Sequence, residues 1–206
     1  MAKEIYREIL LKAQQERTLV AVHTDPEDLD MFSVGYVRSV GDADFTLDCV
    51  SPEGEPEGIL GRRFSQILRI SQDNRYLRQI ALLVEKLDKS SWVKEPPEPP
   101  EATPRSCFLD ELKLARRHRQ PVSLQVGTYT DVEDVIGFVR KTTDTYVQIL
   151  DLTTDGLPDG MSTVKLKDIY RLAWGGKEHR IISLFYRHRK KLYGGGRVTR
   201  KSRRHP

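Results

Sequence analysis

The sequence aligns with itself. At an offset of about 102 residues, Val34-Gly35-Tyr36-Val37-Arg38 matches Ile136-Gly137-Phe138-Val139-Arg140, and Phe64-Ser65-Gln66-Ile67-Leu68-Arg69-Ile70 matches Leu166-Lys167-Asp168-Ile169-Tyr170-Arg171-Leu172. Leu77-Arg78-Gln79-Ile80-Ala81-Leu82-Leu83 then matches His179-Arg180-Ile181-Ile182-Ser183-Leu184-Phe185, so the order of the blocks is kept. Self-similarity at one fixed offset restricts the chain to two like units. Between them lies Lys94 to Pro104, dense in proline and glutamate. Proline removes backbone donors and the charges hold the segment in water, so it reads as a semi-extended linker. The expected organisation is a first module at residues 1–90, a linker at 91–106, a second module at 107–191 and a basic tail at 192–206.

Each unit opens on a helical pattern. Ile5, Tyr6, Ile9, Leu10 and Ala13 share one helix face, as do Phe108, Leu109, Leu112 and Ala115, with Gln120-Pro121 stopping the second helix. First strands are predicted at Leu19 to His23 and Val122 to Val126. Acidic turns follow, Asp25-Pro26-Glu27-Asp28 and Asp131-Val132-Glu133-Asp134, each leading to a second strand that carries the shared glycine. A third strand alternates Phe45, Leu47 and Cys49 with Thr46 and Asp48, matched by Tyr146 to Leu150. Beyond a turn with glycine and proline come two short strands split by a tight step, and then closing helices at Arg75 to Leu87 and Lys177 to Lys191. The expected fold class is mainly β with helices: two small bent sheets or barrels, each with an N-terminal helix, five short strands and a closing helix. Gly35 and Gly137 in mid-strand fit a sharp bend or the close packing of the N-terminal helix.

This element order, with the strand-two glycine and the late Phe64 to Ile70 and Leu166 to Leu172 blocks, resembles the Sm-like module of Sm and Lsm proteins and bacterial Hfq over about residues 5–71 and 107–173. The resemblance implies a small SH3-like barrel, assembly through strand edges, and contact with RNA. In that family a loop after strand two supplies aspartate and asparagine, and a loop between the last strands supplies Arg-Gly or Lys-His, to a pore that takes uridine-rich RNA. The corresponding stretches here are Ser39 to Asp44 and Lys141 to Thr145, then Arg63 to Ile67 and Lys165 to Ile169. They lack the asparagine, the Arg-Gly pair and the Lys-His pair, so the resemblance does not extend to the pore-type uridine site.

Charge divides the chain. The net charge is +4, and Arg187 to Pro206 holds nine cations and no acid, which leaves residues 1–186 at −5. The nine are Arg187, Arg189, Lys190, Lys191, Arg197, Arg200, Lys201, Arg203 and Arg204. Such an arm binds polyanions by releasing counterions; a solubilising terminus has the same composition. Arg38 and Arg140, each two residues beyond an aromatic, are further candidates for phosphate contact with Tyr36 or Phe138 stacking a base. The competing reading is a strand arginine paired with a neighbouring carboxylate.

Catalytic and metal chemistry find no footing in the pattern. The five histidines are scattered, the two cysteines form no C-x-x-C, the acidic turns lack EF-hand spacing, and Gly194-Gly195-Gly196 lacks the Lys-Ser/Thr of a phosphate loop. The expectation is a non-enzyme without cofactor or metal. No apolar run reaches the length of a bilayer span, and Cys49 and Cys107 suit a reducing compartment, so a cytoplasmic location is expected. Two functions fit: an RNA-associated platform whose C-terminal arm supplies phosphate affinity, and a protein-interaction adaptor that uses open strand edges or the closing helices.

Overall fold

The computed structural model describes residues 2–28, 30–86, 106–128 and 131–193. Along the chain these form α1 (Ala2–Glu16), β1 (Leu19–His23), β2 (Ser33–Val40), β3 (Asp44–Val50), β4 (Pro56–Arg63), β5 (Arg69–Gln72) and α2 (Arg75–Lys86). They continue as α3 (Cys107–Arg117), β6 (Pro121–Thr128), β7 (Asp131–Thr142), β8 (Tyr146–Leu152), β9 (Pro158–Lys165), β10 (Ile169–Trp174) and α4 (Lys177–Tyr193). Single 3₁₀ turns, Phe64–Gln66 and Leu166–Asp168, make the tight steps into β5 and β10.

All ten strands form one antiparallel sheet, in the order β5-β1-β2-β3-β4-β10-β6-β7-β8-β9, which does not close on itself. Among the described residues β5 and β9 are its outer strands. The first strand occupies the residues expected of it, Leu19–His23. The second acidic turn does not form: Asp131 to Asp134 are paired in β7 against β6. Pro26 interrupts the matching stretch of the N-terminal half, where Asp25 instead accepts the Glu27 amide at 2.9 Å in a local turn; without a proline the later segment can donate to the ladder. Nearly all of the expected linker lies outside the described residues.

The mid-strand glycines are explained by a neighbouring backbone. A Cβ on Gly35 would sit 2.5 Å from the Asp48 carbonyl oxygen, and one on Gly137 would sit 2.0 Å from that of Leu150. Both contacts are with the next strand, not the N-terminal helix, and a β-bulge follows each, between Val37 and Ser39 and between Val139 and Lys141. Glycine and bulge together let each second strand fold over the third. The hydrophobic periodicity then buries three clusters: Leu10, Ala13, Phe45, Leu47 and Phe64 beneath α1; Phe108, Leu112, Ile149, Leu172 and Trp174 beneath α3; and Leu19, Ala21, Leu77 and Ile80 beneath α2.

The halves meet where β4 pairs with β10, with Ile59 opposite Trp174, Leu60 opposite Ala173, Gly61 opposite Leu172 and Arg62 opposite Arg171. Helix α3 lies over this seam. The Phe108 ring occupies the space above Gly61, where a Cβ would approach it to 2.7 Å, and the Arg63 guanidinium stands 5.2 Å from the same ring while its Nε donates to the Ile169 carbonyl at 2.8 Å. Asp44 of β3 accepts the Cys107 amide at 2.7 Å and the Ser106 hydroxyl at 2.8 Å, so a carboxylate of one half caps a helix of the other. At the centre, Arg38 Nε donates to Glu111 at 2.6 Å, Arg38 Nη1 to Asp48 at 3.2 Å, and Trp174 Nε1 to Glu111 at 3.1 Å. Glu111 is fully buried, and burial raises its carboxyl pKa against the pull of Arg38 and the indole.

Removing one partner of such a pair strands a charge in the interior. Glu111→Ala should cost about 3–5 kcal/mol in urea unfolding, and adding Arg38→Met should restore part of that loss. An alanine variant as stable as the native chain would show that this pair does not hold the seam.

Candidate nucleic-acid interface

The sequence-predicted cations separate into three groups. Arg197, Arg200, Lys201, Arg203 and Arg204 lie outside the described residues. Arg38 lies in the seam: it is 4% exposed and its Nε and Nη1 are engaged by Glu111 and Asp48. That geometry removes it from the candidate phosphate contacts and corrects the expectation. Burial of this strand face beneath α3 is the cause. The remaining group, Arg140, Arg187, Arg189, Lys190 and Lys191, lies in β7 and α4.

Helix α4 seats one face on the sheet, burying His179, Ile182 and Ser183. Its C-terminal half is fixed by aromatics. The Tyr186 ring lies 4.8 Å from Phe138 of β7, and the Arg189 guanidinium lies 4.1 Å over the same Tyr186 ring. Gly156, with φ +78°, comes so close beneath that a Cβ would sit 2.6 Å from the Tyr186 amide nitrogen. Farther along, the Tyr193 hydroxyl donates to the Asp155 carbonyl at 3.1 Å. These contacts hold α4 against the β8–β9 turn.

Two of the helix cations fold back on their own helix: Arg187 Nε donates to the Ser183 carbonyl at 3.3 Å and Arg189 Nη1 to that of Tyr186 at 2.6 Å. Lys190 and Lys191 are exposed in the last turn, where cations also offset the negative end of the helix dipole. Arg140 is exposed on β7, at the bulge two residues beyond Phe138. The structure thus brings the strand of Arg140 against the helix of Arg187 to Lys191. It does not leave Phe138 open as a base-stacking platform, because Tyr186 covers it, and Tyr36 packs against the cluster beneath α2.

The two cysteines are unpaired, and burial pushes both thiols up to about 12, which keeps them protonated and poorly nucleophilic. No family model, curated protein or solved structure matches the chain.

One pairing escaped sequence reasoning. Ser123 of β6 and His179 of α4 meet with Oγ 3.1 Å from Nε2, 56 residues apart in the chain. The signal was present at the matching positions of the N-terminal half, Ala21 and Leu77, which are buried apolar residues. Burial first, then the charges of Arg171 and Arg180, depress the His179 pKa to about 4 against the Ala173 carbonyl.

A depressed histidine favours the neutral folded form. The unfolded chain takes up the proton near its ordinary pKa of about 6.5, so this contribution to stability is complete above that value and is lost as pH falls towards 4. Relative to His179→Leu, the native chain should lose about 3 kcal/mol between pH 7 and pH 4 in urea titrations. A pH-independent difference between the two would contradict a neutral buried imidazole.

Proposed function

We propose that this chain is a non-enzymatic RNA-associated protein in which two diverged Sm-like modules form a rigid platform and the C-terminal arm supplies affinity for phosphate. The modular reading draws support from strand order: β5-β1-β2-β3-β4 in one half and β10-β6-β7-β8-β9 in the other follow the same sequence of positions. It also draws on the glycine and bulge that recur in β2 and β7. Each leading helix ends alike: Arg17 and Arg119 have φ of 51° and 53°, and the Thr18 and Gln120 amides reach back to Ala13 and Ala115, both at 3.0 Å.

The observation that carries the RNA reading is the anchored basic end of α4. Phe138, Tyr186 and the Asp155 carbonyl hold the helix in place, and its last two turns present Arg187, Lys190 and Lys191 directly ahead of five more cations in the sequence. Phosphate contacts of this kind fix position without reading bases. The mildly acidic body turns a strand away from the rest of the surface. A cytoplasmic setting fits, since both cysteines are unpaired.

A second reading rests on separate observations. Ile181, Leu184 and Leu192 of α4 are 41%, 46% and 52% exposed, and among the described residues the sheet ends in β5 and β9. Exposed apolar helix residues and open strand edges are what a protein-interaction adaptor would offer a partner or a second copy.

Titration of mixed-sequence single-stranded RNA over a range of salt separates the two. With about 0.7 counterions released per contact on a single strand, glutamine at Arg187, Lys190 and Lys191 should lower the slope of log K against log salt by about 2, and deletion beyond Tyr193 by about 3.5. Binding that is absent in the full chain, or a slope unchanged in both variants, would remove the RNA reading and leave the adaptor.

A further inference from the structure

The second half fills with an indole a space that the first half leaves open. Trp174 is 1% exposed, its Nε1 donates to Glu111 at 3.1 Å, and its ring lies stacked 6.4 Å from that of His118. It stands opposite Val122 of β6, and at the repeat offset Gln72 of β5 stands opposite Val20 of β1. Gln72 thus holds the place of Trp174, while Ile9 and Glu16 hold those of Glu111 and His118. All three line a cleft of about 660 Å³ between α1, α2 and the end of β5, a volume within the roughly 300–1,000 Å³ of ligand sites.

The walls set the chemistry of what enters. Leu19 and Leu77, both buried, line the cleft together with the half-buried Ile9 and Tyr36. Its charges are Lys12, Arg17 and Arg78 against Glu16 and Asp73. Lys12 lies 3.8 Å from Glu16 and Arg78 lies 3.6 Å from Asp73, so these four compensate one another and the excess is a single cation. Such a rim draws in neither a polyanion nor a polycation. Apolar walls under a compensated rim suit an uncharged aromatic ring with a polar edge, which is what Trp174 supplies in the other half.

The strand edge beside the cleft says how the ring would arrive. β10 pairs with β6 on one side and β4 on the other, whereas among the described residues β5 pairs with β1 alone. Ile59 of β4 stands opposite Trp174, and directly opposed residues of an antiparallel pair share a face. A strand laid along β5 in the manner of β4 therefore places one residue opposite Gln72, over the cleft. Two residues farther on, at the place of Gly61, it needs a glycine, because the Phe108 ring sits over Gly61 and Tyr6 is the counterpart of Phe108 in α1. The β9 strand of a second copy has Met161 and Thr163 at these two places, and Trp92 of the linker is followed two residues later by Lys94. Neither carries the glycine.

We propose that β5 and this cleft dock an extended segment of a partner protein that carries an aromatic residue, tryptophan foremost, with glycine two positions later. The segment adds a strand to the sheet, its backbone supplying hydrogen bonds and its ring the specificity. An acid three positions after the ring, at the place of Arg62, stands opposite Arg69 and strengthens the pairing. This inference rests on the adaptor reading and names its partner. The basic end of α4 takes no part, so RNA binding stands or falls separately, and failure at β5 leaves the face of α4 to the adaptor.

The probe is a fluorescein-labelled peptide copying Pro56 to Arg63 with Ile59→Trp and Arg62→Glu, titrated against the full chain by anisotropy. The same peptide with alanine for the tryptophan should bind about thirtyfold more weakly, and one with threonine for Gly61 should lose binding. In the chain, Gln72→Trp supplies the ring from within, as Trp174 does, and should abolish binding without lowering Tm. Ala81→Phe, at an exposed position of α2 beside the cleft, should weaken binding by about tenfold and guards against misfolding of the first variant. Methyl resonances of Ile9 and Leu77 should move on titration. A peptide that does not bind, or binding that survives both chain variants, overturns the proposal. Shifts at Ile181 and Leu184 in place of Ile9 and Leu77 overturn it as well and move the adaptor reading to α4. Binding gained only after Trp92→Ala would assign the cleft to the chain's own linker, and an oligomer that Gln72→Trp dissolves would assign it to a second copy, each against the partner proposed.

Discussion

The ion pair between Arg38 and Glu111 is the hinge on which the architecture turns. It joins a strand of the first half to a helix of the second, 73 residues apart in the chain, in surroundings where neither partner reaches water. A charge there is tolerable only when its partner is present. With Asp48 and the Trp174 indole completing the network, α3 has a single seating over β4 and β10, and the register of the seam follows from it. That register sets Arg62 against Arg171.

Much of this was legible in the residues, and the rest was hidden for a physical reason. Period-two alternation around Phe45 and Leu47 and the helical spacing of Phe108, Leu112 and Ala115 report burial against a local element, so those elements lie where the pattern puts them. Pairing between β4 and β10 leaves no such trace, because a hydrogen-bonded edge depends on backbone and not on side-chain periodicity. A glutamate on the apolar face of α3, between Phe108 and Leu112, was its one visible sign. The matching position in α1 is Ile9. A buried acid on a hydrophobic stripe demands a cation, and Arg38 was already conspicuous.

The candidate sites divide in the same way. Cations in the last turns of α4 can be found by counting charge along the chain, since exposure leaves composition as their only requirement. The Ser123–His179 pair, in contrast, stands at positions that align with the buried apolar Ala21 and Leu77. It becomes visible only when two aligned positions on different elements are compared together. The two halves share a mid-strand glycine followed by a bulge and a like helix end, while the Ser123–His179 and Glu111 positions differ from their counterparts.

Because both sides of the seam belong to one polypeptide, their meeting is a unimolecular event. Two separate subunits joined by the same four-residue strand pairing and one buried ion pair would come apart on dilution, at a concentration set by their affinity. Here each half sees the other at an effective concentration fixed by the intervening chain, the same in a crowded cell as in a nanomolar solution. Desolvating Arg38 and Glu111 is therefore a cost met within a single folding reaction. The surface that spans both halves exists whenever the chain is folded, however little of it the cell makes.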